Sequence, residues 1–206
     1  MSAAARSAPG AAPTRRPAPT SPAADTRRSA RTPLAAPSRR SDPAAFAADG
    51  VFAGYASLFG VVDLTGDVVL SGAFRASLAR RGADGVKMLY QHDPAAPIGR
   101  WLEIAEDARG LAVVGELHLG LPRAREVAAL LSAGIVDGLS IGFRTVKARS
   151  DRRTGVRHVA EIDLWEISVV TFPMLPAARV TRLGAADDPA ARLVRDLAAA
   201  AGTLRP

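Results

Sequence analysis

The sequence predicts a mostly β fold: a barrel or tightly curled sheet with two or three helices packed outside it. Three observations predict it. Between Val51 and Thr171 about seven short segments carry the two-residue alternation of half-buried strands. Turn clusters such as Asp63-Leu64-Thr65-Gly66-Asp67 and Ser150–Gly155 separate them. Only two helical patterns interrupt the series, too few for the regular strand–helix alternation that a parallel βαβ sheet would require.

The elements follow in order. Residues 1–45 are Ala, Pro, Arg, Ser and Thr, with Leu34 the single large aliphatic residue after Met1. Such a stretch buries too little apolar surface to offset about 1–2 kcal/mol of ordering entropy per residue, so a disordered tail is expected. A barrel domain is expected over 46–183, and a terminal helix and tail over 184–206. Val51–Phe59 reads as the first strand, and Val68–Leu70 as a short second one. Ser71 is the expected N-cap of a helix carrying Phe74 and Leu78, with Arg80 and Arg81 at its negative end and Gly82 as its stop.

Val86–His92 reads as the next strand, halted by Asp93-Pro94. Ile98–Ile104 and Leu111–Leu119 form a hairpin around the polar Glu106–Gly110 turn. Pro122 opens a second helix with Val127, Leu130 and Leu131 on one side, and Gly134 closes it. Gly138–Ala148 reads as a strand with Leu139, Ile141 and Phe143 toward a core and Ser140, Gly142 and Arg144 opposite. Gly142 leaves open space beside the Ser140 hydroxyl. In Val156–Thr171, Trp165, Ile167 and Val169 share one face, Glu166 and Ser168 the other. Asp188-Pro189 caps a last helix to about Ala200.

Charge is unevenly spread. Residues 1–45 hold eight arginines against two aspartates, a net +6 of the chain's +7. The basic balance therefore belongs to the tail and gives no reason to read the folded part as a nucleic-acid binder. The chain has no cysteine, which excludes disulfides, thiol nucleophiles and cysteine-ligated zinc. No run of about 18 apolar residues is present, so no membrane helix is expected. No GxGxxG and no P-loop occur, so a nucleotide site has no support.

Gly138-Leu139-Ser140-Ile141-Gly142 matches G-x-S-x-G, but that elbow needs a strand-to-helix turn at the serine, and here alternation continues. By residues alone, Ser140 reads either as a solvated strand residue or as a nucleophile on a rigid element. The three histidines, His92, His118 and His158, each read either as surface groups or as bases. A metal site built on His92, Asp93 and His118 lacks any HExxH or HxH pattern and any dense carboxylate cluster. No metal and no cofactor is expected.

Four blocks in order make the pattern specific. Gly54-Tyr55-Ala56-Ser57-Leu58-Phe59, with Asp63, Gly66-Asp67 and Gly72-Ala73-Phe74, resembles the opening of the HK97-type tailed-phage prohead proteases. Leu89-Tyr90-Gln91-His92-Asp93-Pro94 with Pro97-Ile98-Gly99-Arg100-Trp101 resembles that family's histidine block. Asp137–Phe143 is similar to its serine block, and Glu166–Pro173 to its closing block. The resemblance covers about residues 50–181, and gene transfer agents use related proteins.

The resemblance implies a serine endopeptidase on a herpesvirus-assembly-protease-like antiparallel β-barrel ringed by helices. Its substrate would be the scaffolding segment of the major capsid protein, or a separate scaffold protein, cut inside the immature shell in the host cytoplasm; self-cleavage is usual in the family. Ser140 would be the nucleophile and His92 its general base. Glu166 is the expected orienting acid, with His158, Glu161 and Asp163 as alternatives. The herpesvirus enzymes act as dimers, so a homo-oligomer is among the expectations, although no interface is legible. Met174-Leu175 departs from the Ala-Asn that often follows the Phe-Pro pair. A non-catalytic assembly protein on the same barrel is the alternative reading.

Overall fold

A computed structural model describes Arg40, Ser41, Phe46 and residues 49–184. The remainder of the expected tail and the expected helix after Asp188 lie outside the described residues. Among those described, nine strands form one sheet: β1 (Arg40–Ser41), β2 (Val51–Leu58), β3 (Asp67–Val69), β4 (Lys87–Tyr90), β5 (Asp93–Glu106), β6 (Gly110–Leu117), β7 (Gly138–Ser150), β8 (Arg157–Val170) and β9 (Val180–Leu183). Two helices of at least seven residues accompany it, α1 (Arg75–Arg81) and α2 (Pro122–Ser132). The architecture is mostly β, as the alternation predicts.

The order across the sheet is β1-β9-β2-β6-β5-β4-β8-β3, with β7 paired to β8. Most ladders are antiparallel; β1–β9, β3–β8 and β4–β8 are parallel. The sheet curls around a main core in which Trp101, Phe52, Phe74, Met88, Leu139 and Ile167 are fully enclosed. Phe52 and Trp101 meet edge to face with centroids 5.7 Å apart. Arg40 and Ser41, inside the stretch read as tail, pair in parallel with Arg182 and Leu183 of β9.

Three local expectations are corrected. First, α1 begins at Arg75 and Ser71 does not cap it. Phe74 occupies the cap position, and its N–H donates to Glu106 Oε1 at 2.8 Å. A distant carboxylate serves the helix start that sequence assigned to a neighbouring hydroxyl. The stop is as expected: Gly82 sits at φ 65° and its N–H donates to Leu78 O.

Second, the strand at 86–92 ends at Tyr90, and Asp93-Pro94 opens β5 instead of halting β4. Tyr90 pairs with Asp93, so Gln91 and His92 are the two central residues of a hairpin turn. Their φ values are 55° and 60°, the positive pair that a type I′ turn demands.

Third, Trp165 does not share the core face with Ile167 and Val169. In the β7–β8 ladder Gly142 pairs with Glu166 but Phe143 pairs with Leu164, so residue 165 is the extra member of a bulge. The bulge switches the parity of the strand: Ile162 and Leu164 face inward before it, Ile167 and Val169 after it. Trp165 is turned outward, 51% exposed.

Helix α1 is tied to β8 by polar contacts as well as packing. The Leu164 N–H donates to the buried Ser77 Oγ at 2.9 Å. Asp163 receives Arg80 at 2.5 Å and Arg81 at 3.0 Å.

Candidate active site

Strands β7 and β8 set the site through register. Ser140 lies opposite Ser168 and Gly142 opposite Glu166. Cross-strand partners point to the same side of a sheet, so Ser140, Glu166 and Ser168 share one face. Leu139, on the other face of β7, is fully buried and anchors the strand to the core. Ser140 itself is 6% exposed.

The β4–β5 turn brings His92 to that face. Left-handed backbone costs a residue with a side chain about 1–2 kcal/mol, and two such residues adjoin here. Local hydrogen bonds offset the strain. Gln91 N–H donates to Val169 O, and its side-chain amide exchanges two hydrogen bonds with Thr171, through Nε2 to Oγ1 and from the Thr171 N–H to Oε1. The His92 N–H donates to Ser168 Oγ at 3.1 Å. The turn that carries the imidazole is thus tied to β8 and to Thr171 just after it.

The decisive contact lies between two side chains. His92 Nδ1 meets Glu166 Oε1 at 2.6 Å, with the histidine side chain 43% and the glutamate 13% exposed. The hydrogen bond to Glu166 holds the His92 pKa above its ordinary value, against partial burial, which pushes it down. The second carboxylate oxygen, Oε2, accepts the Ser168 hydroxyl at 2.7 Å.

Gly142 is not beside open space. Its place opposite Glu166 is filled by that side chain, whose Cδ would stand 2.7 Å from any Cβ at 142. The second glycine of the G-x-S-x-G match thus makes room for the carboxylate.

Of the residues singled out from sequence, His92 and Glu166 are in direct contact, and Ser140 is the cross-strand partner of Ser168, which touches both. Among the described residues no hydrogen bond joins the Ser140 hydroxyl to His92. The alternatives to Glu166 are engaged elsewhere. Asp163 binds Arg80, Arg81 and the Trp165 indole N–H, which, with the indole contact foremost, hold its pKa down at about 2. Glu161 pairs with Lys147. His158 stands opposite Val68 and Arg149, far along β8 from His92. His118 is exposed, its N–H bonded to Ile98 O. Among the described residues no cluster of three or more metal-type ligands is present.

A cavity of about 180 Å³ opens beside Ser140. Its walls are largely aliphatic, with Ala56, Val61, Leu139, Ile141 and Met174 among them, and Asp63 on its lining. The Leu64 N–H donates to Met174 O at 3.0 Å, so the 61–67 loop and the segment after β8 close over it together. Met174 and Leu175 are both part of this wall.

The family profile of the caudovirus prohead serine proteases matches residues 37–189. The chain belongs to that family. The prohead protease of Enterobacteria phage HK97 is 37% identical over 140 residues, covering 67% of this chain and 62% of that protein. The prohead protease of Escherichia phage T5 is 30% identical over 112 residues, covering 54% and 52%. The matched part of the chain thus spans less than two thirds of either relative. Among solved structures, the bacteriophage T4 capsid assembly protease overlays with a TM-score of 0.49 at 14% identity, covering 60% of this chain and 82% of that one. The KSHV protease bound to a hexapeptide phosphonate inhibitor gives 0.45 at 12% identity, covering 63% of each.

The residue that sequence reasoning missed is Ser168. Alternation puts it on the polar face with Glu166 but assigns it no task. The available signal was the Glu-x-Ser spacing, which puts a hydroxyl directly beside the carboxylate on one face of a strand.

Proposed function

We propose that the chain is a serine endopeptidase of prohead maturation, in which Ser140 attacks, His92 accepts its proton and Glu166 orients the imidazole. The observation that carries this reading is the 2.6 Å contact between His92 Nδ1 and Glu166 Oε1, on the sheet face that also bears Ser140. Membership of the prohead serine protease family supports it independently.

The carboxylate accepts a hydrogen bond from Nδ1–H, which leaves Nε2 as the basic nitrogen of the neutral ring. A serine hydroxyl is a weak nucleophile until such a base takes its proton. As Oγ bonds to the scissile carbonyl carbon, its proton passes to Nε2, and the imidazolium forms beside the anionic Glu166 that stabilises it. Collapse of the tetrahedral intermediate breaks the C–N bond, and the leaving amine takes the proton from Nε2. Water then repeats the sequence on the acyl-enzyme and restores Ser140. The aliphatic cavity beside Ser140 has room for one substrate side chain.

The substrate in this reading is the scaffolding segment of the major capsid protein or a separate scaffold protein, and the enzyme itself, cut within the assembling shell in the host cell. Co-expression with the cognate capsid protein tests it. A shortened capsid band is expected, and its loss with Ser140→Ala; continued cleavage by that variant contradicts the assignment.

A further inference from the structure

We propose that Ser168 is a positioning residue for the site, its one hydroxyl fixing both the Glu166 carboxylate and the turn that carries His92. The inference rests on the proposed roles of His92 and Glu166 and adds what holds them. Ser168 is completely buried, yet its hydroxyl is fully used: it donates to Glu166 Oε2 at 2.7 Å and accepts the His92 N–H at 3.1 Å.

The direction of both bonds follows from the chemistry. An ionised carboxylate can only accept, and a backbone N–H can only donate. A serine hydroxyl has one proton and two lone pairs, so the proton goes to Glu166 and a lone pair to His92. With Oε2 tied down, the carboxylate cannot rotate about its own axis, and Oε1 is presented to Nδ1. The other bond pins the residue at φ 60° that carries the ring. Base and orienting acid are thus referred to a single atom on the strand opposite Ser140.

Ser168 is not a second nucleophile. Its hydroxyl is sealed from solvent and its proton is committed to the carboxylate, so no carbonyl can reach it without dismantling the pair. Ser140, by contrast, borders the cavity. A purely structural serine is the competing explanation, and it predicts different behaviour when Glu166 is also changed.

The test uses the full chain, with Ser168→Ala, Glu166→Gln and the double variant, each followed by the rate of cleavage of the cognate capsid protein. The imidazole nitrogens of His92 are titrated by ¹⁵N NMR in parallel. Misplacement on the order of 1 Å costs about 10²-fold in rate, so Ser168→Ala is expected to slow cleavage by roughly 10- to 100-fold. It should also move the His92 titration down toward that of free imidazole. In the Glu166→Gln background the same change should cost less than in the parent, because one of the two groups it positions is already altered. Ser168→Cys, which keeps the buried volume with a poorer donor, should fall between parent and alanine.

A full rate in Ser168→Ala, an unmoved His92 titration, or losses that multiply in the double variant would each overturn the proposal. If the alanine variant fails to fold, the cysteine variant decides by the same two readouts. If the parent leaves the capsid protein uncut, the reading of the enzyme fails, while the NMR titration still tests whether Ser168 holds the pair.

Discussion

Gly142 faces Glu166 across the β7–β8 ladder, and the carboxylate that meets His92 lies where a side chain at 142 would be. Strand and glutamate therefore share one space, which only a residue without a Cβ leaves free. Gly142→Ala should keep the fold, since what the new methyl meets is the Glu166 side chain and not backbone. It should also displace the carboxylate and lower the cleavage rate by about 10- to 100-fold, the scale of an ångström-sized misplacement. Thermal unfolding beside a cleavage assay checks both halves: a collapse in stability with the site intact contradicts this geometry.

The His92–Glu166 pair also sets a pH dependence. A general base works when neutral, so kcat/KM should rise with pH through the His92 pKa, and that limb should lie above the ordinary imidazole value because Glu166 raises it. Glu166→Gln should move the limb to lower pH and reduce the plateau by roughly 10²–10⁴-fold, as when the orienting acid of a triad is neutralised. Stability runs the other way. A raised histidine pKa stabilises the fold fully below the unfolded value of about 6.5 and loses that contribution as pH rises through the folded pKa. Chemical denaturation and kinetics across pH 5–9 should therefore show opposed trends, and in the glutamine variant the stability trend should disappear while the rate limb persists at lower pH.

Asp163 separates the structural from the chemical acids of β8. It is buried against Arg80 and Arg81 and binds the Trp165 indole. Asp163→Asn should lower the thermal midpoint by loosening α1 from the sheet, while the pH limb of cleavage stays in place. A shifted limb with unchanged stability would instead give Asp163 the role assigned to Glu166.

Much of this was legible in the sequence, for physical reasons. Alternation through Leu139, Ile141 and Phe143 is a local property, and it put Ser140 on the face away from the core. The ordered blocks around His92, Ser140 and Glu166 supplied the resemblance. The features that escaped depend on partners distant in the chain. The Gln91-His92 turn was hidden because Asp93-Pro94 reads as a strand breaker, yet proline is tolerated where a strand begins. The bulge at Trp165 leaves no mark in composition, and it reverses the facing of Ile162 and Leu164 just before it. The cap of α1 comes from Glu106, 32 residues past Phe74. Ser168 was visible as a polar residue, but its task exists only once the turn has folded back onto β8.

The measurement that bears most directly on the central claim is covalent labelling with a fluorophosphonate, which reacts with serines activated by a neighbouring base. Peptide mapping by mass spectrometry should find one adduct, on Ser140, and His92→Ala should abolish it while circular dichroism remains that of the parent. An adduct on another residue, or equal labelling without the imidazole, would contradict the account.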